Sequence, residues 1–177
     1  MSMRSLKIFF IVSTALLWWA VTTALTQTIN DAQIAHIVVT ANQVDIDAGK
    51  VAAAMASHPE VKKFGALMMS DHAGVNKRAA ELAAKLNVTP ADNPTSQSLK
   101  AGGEKNVANL KTLTGAAFDR AYIDGEVAYH QAVLDAVDRT LIPGAANAEL
   151  KALLGQVRPA FVAHLEHARK IQAGLGR

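Results

Sequence analysis

Residues 59–87 read PEVKKFGALMMSDHAGVNKRAAELAAKLN. Small and apolar residues recur there at alternating steps of three and four: Gly65, Met68, Val75, Ala79, Leu82 and Leu86. That is the period of an amphipathic helix and not the alternation of a strand. One position on the stripe is out of character, because His72 stands where the pattern calls for hydrocarbon. Pro59 suits a first helical turn, and Val88-Thr89-Pro90 ends the run.

The same period appears on either side. Residues 31–57 carry the stripe Ile34, Ile37, Ala41, Val44, Ala48, Val51, Met55, with Asn30 or Asp31 as the expected cap and His58-Pro59 as the stop. Residues 116–141 carry Ile123, Val127, His130, Leu134, Val137, Leu141, and Pro143-Gly144 reads as a turn. Residues 146–173 carry Leu150, Leu154, Val157, Phe161, His164, Ala168, Ile171, with Pro159 expected to kink the helix or free a carbonyl. Between the second and third long helices lies a polar loop, 87–97, and a shorter helix expected over 98–113, weakened near its start by Gly102-Gly103.

The expected fold is therefore all-α. Two helical hairpins with tight turns, joined by a long crossover that holds a short helix, make the ferritin-like four-helix pattern, spanning residues 31–173. Ahead of it, Arg4 and Lys7 precede an uncharged apolar run from Leu6 to Leu25. This is the pattern of a secretory signal over 1–24, cut after Ala24, or of an uncleaved N-terminal membrane anchor. Either places the body outside the cytoplasm, in the periplasm of a bacterium, with membrane association through this segment in the second case.

Composition narrows the function. The 177-residue chain has no cysteine, which excludes disulfides, thiolate metal sites and cysteine nucleophiles. With Arg4 and Lys7 set aside, basic residues exceed acidic ones by one, so nothing points to nucleic acid as a partner. No G-x-S-x-G, P-loop, dinucleotide fingerprint or H-E-x-x-H is present. No nucleophile and base can be paired, so no catalytic residue is assigned and no organic cofactor is expected. Met55, Met68 and Met69 read as core filler rather than copper ligands.

What remains is a set of histidines. His72, His130 and His164 each interrupt the core stripe of a different helix. A buried imidazole needs hydrogen-bond partners or a metal. On the first helix a second stripe passes through Asp45, 13 positions before His58, and His72 lies 14 after it, so the two should be level. About Gly144, His130 and His164 lie 14 and 20 positions away, which predicts a stagger of roughly 9 Å and an elongated site running through Glu126. Glu126 and His130 share a helix face at spacing four. The expected ligands are His72, His130, His164, Asp45 and Glu126, with Asp71, Asp119 and Tyr122 orienting them. Such a set suits iron, copper, zinc or manganese. The chain has no Glu-x-x-His, the signature of di-iron bundles. The other reading is a structural one, in which a buried His–Asp–Tyr network only fixes helix register and the protein acts as a non-enzymatic envelope module.

Several runs resemble the bacterial domain-of-unknown-function family 4142: ANQVDIDAGK (41–50), PEVKKF (59–64), MMSDH (68–72), GAAFDRAYI (115–123) with the later His130, and Arg158-Pro159 followed by His164-Leu165. The resemblance covers about residues 31–173. It implies a ferritin-like fold and export to the cell envelope, and it supplies no reaction. The family's first-helix position usually carries glutamate where this chain has Asp45, a shorter arm.

Overall fold

A computed structural model describes residues 29–175, so the expected leader over 1–24 lies outside the described residues. Among the described residues the chain is helical throughout, with no strand. Five long helices follow in order: α1 (Asp31–Met55), α2 (Pro59–Lys85), α3 (Pro94–Leu110), α4 (Gly115–Ala136) and α5 (Ala148–Leu175).

α1 and α2 form one hairpin and α4 and α5 another. Asn30 caps α1 in a capping box with Gln33, each side chain accepting from the other's backbone N–H. Asp31 does not cap its own helix. Its two carboxylate oxygens accept the N–H groups of Ala146 and Asn147, each at 2.9 Å, which ties the start of α1 to the start of α5. α1 ends at Met55, just ahead of the expected stop at His58-Pro59, and the Nδ1 of His58 accepts from Glu60 N–H and so caps α2, with Pro59 in the first turn.

Two glycines let the first hairpin close tightly. A Cβ on Gly49 would stand 2.7 Å from the carbonyl oxygen of Gly65, and one on Gly65 would stand 2.8 Å from the carbonyl oxygen of Gly49. Only hydrogen at both positions allows this approach.

Two expected boundaries move. The short helix starts at Pro94, four residues early, because Asn93 and Ser96 form a capping box around it. Gly102-Gly103 therefore lies inside α3, where Gly103 packs against Val44 of α1. The chain also does not turn at Pro143. It continues from α4 through a π-helical segment, Val137–Leu141, and a helical turn, Ile142–Gly144. Pro143 has no N–H and its ring crowds the preceding turn, and a π-turn widens the backbone there. In that wide turn the N–H of Ile142 donates to the carbonyl of Val137, five residues back. Pro159 lies inside α5, which runs on through it.

The core falls into two apolar clusters. One gathers Ile34, Ile37, Val38, Leu134, Val137, Leu154 and Val157. The other gathers Ala52, Val61, Phe64, Met68, Phe118, Ile123 and Ile171. Burying a side chain such as Phe64 or Ile34 contributes roughly 1.5–3 kcal/mol. Along α1, α2 and α4 the residues between the two clusters are polar and buried: Asn42, Asp45, His72, Glu126 and His130, joined by His164 of α5. A polar layer thus crosses the bundle where the sequence period alone would place hydrocarbon.

Candidate metal centre

The three stripe histidines meet. Ring centroids are 5.7 Å apart for His72 and His130, 5.2 Å for His72 and His164, and 5.4 Å for His130 and His164. Each can offer a ring nitrogen within 4.8 Å of the others, and all three rings are buried. The predicted stagger of His130 and His164 is absent. Helix persists past Pro143, so the pivot is nearer Ala146, from which the two lie 16 and 18 positions away. That leaves only about 3 Å of difference in level.

Hydrogen bonds fix which nitrogen of each ring carries the proton. Asn76 Nδ2 donates to the carbonyl of Val39 at 3.4 Å, which can only accept. Asn76 Oδ1 therefore accepts from Asn42 Nδ2 at 2.9 Å, and Asn42 Oδ1 accepts from His72 Nδ1 at 2.7 Å. His130 Nδ1 donates to the carbonyl of Glu126 at 3.1 Å. His164 Nε2 donates to Asp71 Oδ2 at 2.9 Å. In a neutral ring the other nitrogen then holds a lone pair. Those atoms are His72 Nε2, His130 Nε2 and His164 Nδ1, and each is buried with no hydrogen-bond partner in the protein.

Electrostatics favour the neutral form of His72 and His164. Burial, then the neighbouring His130 and His164, pushes His72 down to about 3. Burial also lowers His164, against the upward pull of its hydrogen bond to Asp71.

Two carboxylates complete the layer. Asp45 Oδ2 lies 3.3 Å from His72 Nε2, off the line of a hydrogen bond, and 4.0 Å from His130 Nε2. The shorter arm of aspartate therefore reaches the histidines. Glu126 Oε2 lies 3.4 Å from His130 Nδ1, and Asp45, Glu126 and His130 form a second close set. Burial first, and then Glu126, raises the Asp45 carboxyl well above the usual range. Burial, Glu126 and Asp45 likewise raise the Tyr122 phenol, whose hydroxyl has no partner. A carboxylate oxygen facing two imidazole lone pairs is repulsive unless a proton or a cation lies among them. The donor set, imidazole nitrogen and carboxylate oxygen without sulfur, is one that could hold a first-row transition metal.

Not every expected residue joins. Asp119 accepts the backbone N–H groups of Ser57 and His58, at 3.0 and 2.8 Å, and holds the α1–α2 turn. Met68 lies in the apolar cluster, as its reading as core filler expects. The sequence reading passed over Asn42, Asn76 and Phe161, which stacks on His72 at 5.4 Å. Asn42 lies three positions before Asp45 and so on its face, a signal that was there to use.

A family model described as a domain of unknown function, DUF4142, matches residues 20–171. No curated protein matches the chain, and no solved structure does.

Proposed function

The chain belongs to the domain-of-unknown-function family DUF4142, and from that premise we propose that it is a transition-metal-binding protein of the cell envelope. His72 Nε2, His130 Nε2 and His164 Nδ1 bind the ion, Asp45 is a fourth ligand, and Glu126 lies beside them. One observation carries this reading: three buried imidazoles each have one nitrogen bonded to an oxygen acceptor and the other without a partner. Metal-binding histidines are oriented in this way, by a carboxylate or carbonyl on the far nitrogen.

The protein in this reading is a ferritin-like four-helix bundle over 31–173, with α3 in the crossover and residues 1–24 as export signal or anchor. Its task is metal handling or redox protection in the periplasm. The donor set supports iron, zinc, copper or manganese and excludes none of the four. The absence of Glu-x-x-His sets it apart from di-iron bundles.

The test is metal content of the protein purified without a chelating tag. About one ion per chain is expected, lost in the His130→Ala, His164→Ala double variant with the helical spectrum retained. No bound metal after incubation with iron, copper, zinc and manganese would overturn the reading. It would leave the buried layer as a device for helix register and the protein as a non-enzymatic envelope module.

A further inference from the structure

α3 lies along α1 but barely touches α4, and a cavity of about 730 Å³ opens between the three helices. Gly102 and Gly103 of α3 and Gly125 of α4 are among the residues that line it. Asp45 and Glu126, 2% and 4% exposed, also line it. Glu126 Oε2 is buried with no hydrogen-bond partner. The cavity thus contains carboxylates and leads to the histidines, since Asp45 Oδ2 is also 3.3 Å from His72 Nε2.

We propose that Glu126 and Asp45 form an entry site for a divalent cation in this cavity, through which the ion passes to the histidines. This rests on the metal-binding reading above. Carboxyl oxygens beside an opening offer ligand atoms to a cation and no partner to an anion, so the ion and not an anionic ligand is the fitting occupant. Approach from the other side is less favourable. Asp71 has a side chain 41% exposed, but its Oδ2 is bonded to the N–H of His164, so an ion held there faces the protonated nitrogen of that ring and not its lone pair.

Gly125 supports the same route. Glycine inside a helix costs about 1 kcal/mol relative to alanine. A Cβ at Gly125 would meet nothing within 4 Å, so packing does not require the glycine. Its missing side chain keeps the cavity open one residue before Glu126.

The experiment is stopped-flow uptake of Co²⁺ by the full, metal-free chain. Gly125→Leu narrows the cavity from a position where a Cβ meets nothing within 4 Å, and Gly74→Leu places the same change at an exposed helical glycine that does not line it. Gly125→Leu should slow uptake and release together by about tenfold, leaving equilibrium affinity within about threefold, because a raised barrier changes neither end state. Gly74→Leu should match the unaltered chain. Uptake by Gly125→Leu at the unaltered rate overturns the entry site while leaving the metal reading intact. No Co²⁺ binding by the unaltered chain overturns both. If Gly125→Leu also weakens the equilibrium, Gly102→Leu decides, since it narrows the cavity from α3, away from the ligands. The same slowing there supports the entry site, and an unaltered rate overturns it.

Discussion

His72 Nδ1 lies 2.7 Å from Asn42 Oδ1, and that bond turns the lone pair of the imidazole to Nε2, on the side of Asp45. Asn42 is itself held by Asn76 and, through it, by the carbonyl of Val39. Replacing Asn42 by alanine frees the tautomer and strands the Asn76 amide. Metal affinity should fall about 10- to 100-fold, the usual effect of removing a group that orients a ligand. Stability of the metal-free chain should fall by about 1–3 kcal/mol. Competition titration against a chelator and a urea melt measure the two effects.

Asp45→Asn should separate stability from function. The carboxyl group is 2% exposed, and burial and Glu126 raise it, so the folded chain must hold a proton there that the unfolded chain releases. An amide of the same shape carries no charge and offers an N–H to one of the imidazole lone pairs. The metal-free variant should be more stable at pH 7 by about 1–3 kcal/mol and should bind metal more weakly. A urea midpoint below that of the unaltered metal-free chain would contradict this.

Acid should destabilise the metal-free protein early. His72 falls from an ordinary 6.5 to about 3 in the folded chain. Between those values the unfolded chain takes up a proton that the folded chain refuses. The contribution of neutral His72 is complete above about pH 6.5 and is lost as pH falls toward 3, at up to about 1.4 kcal/mol per pH unit for one proton. His164, also lowered, adds the same sign. Asp45 has the opposite sign: its raised carboxyl keeps a proton that the unfolded chain releases, so its contribution is lost as pH rises through its folded value. Urea unfolding across this range should show a shallower acid slope in His72→Gln than in the unaltered chain.

Glycine-to-alanine changes should divide by position. At Gly65 a methyl group would stand 2.8 Å from both the Gly49 carbonyl oxygen and Ala52 Cβ. α1 and α2 must then move apart, at about 1–3 kcal/mol. The Asp45–His72 approach spans the same two helices, so metal affinity should drop too. At Gly74 a methyl group meets nothing, and alanine should stabilise the helix by about 0.5–1 kcal/mol. Thermal melts of the two variants should move in opposite directions.

How far the sequence could be read depended on how sharp each turn was. His58-Pro59 fixes the α1–α2 turn almost to the residue, so counting from it set Asp45 and His72 at one level, as their 3.3 Å approach requires. The α4–α5 turn was misplaced because proline reads as a helix stop. A π-turn absorbs Pro143 and lets the helix run on, which moved the pivot and brought His130 level with His164. The start of α3 was missed for a related reason. Asn93, Pro94, Thr95 and Ser96 have the composition of a loop and equally that of a capped helix start. The histidines stood out because each breaks an apolar stripe. Asn42 did not, because an asparagine on a helix face reads as solvated until its hydrogen bonds are seen.

The most direct test is anomalous diffraction from crystals of the protein loaded with zinc or cobalt. The account predicts one peak among the three rings, about 2.0–2.1 Å from His72 Nε2, His130 Nε2 and His164 Nδ1, with an Asp45 oxygen at about 2.0–2.2 Å. A metal-loaded crystal with no peak there, or with water bridging those three nitrogens, would contradict it.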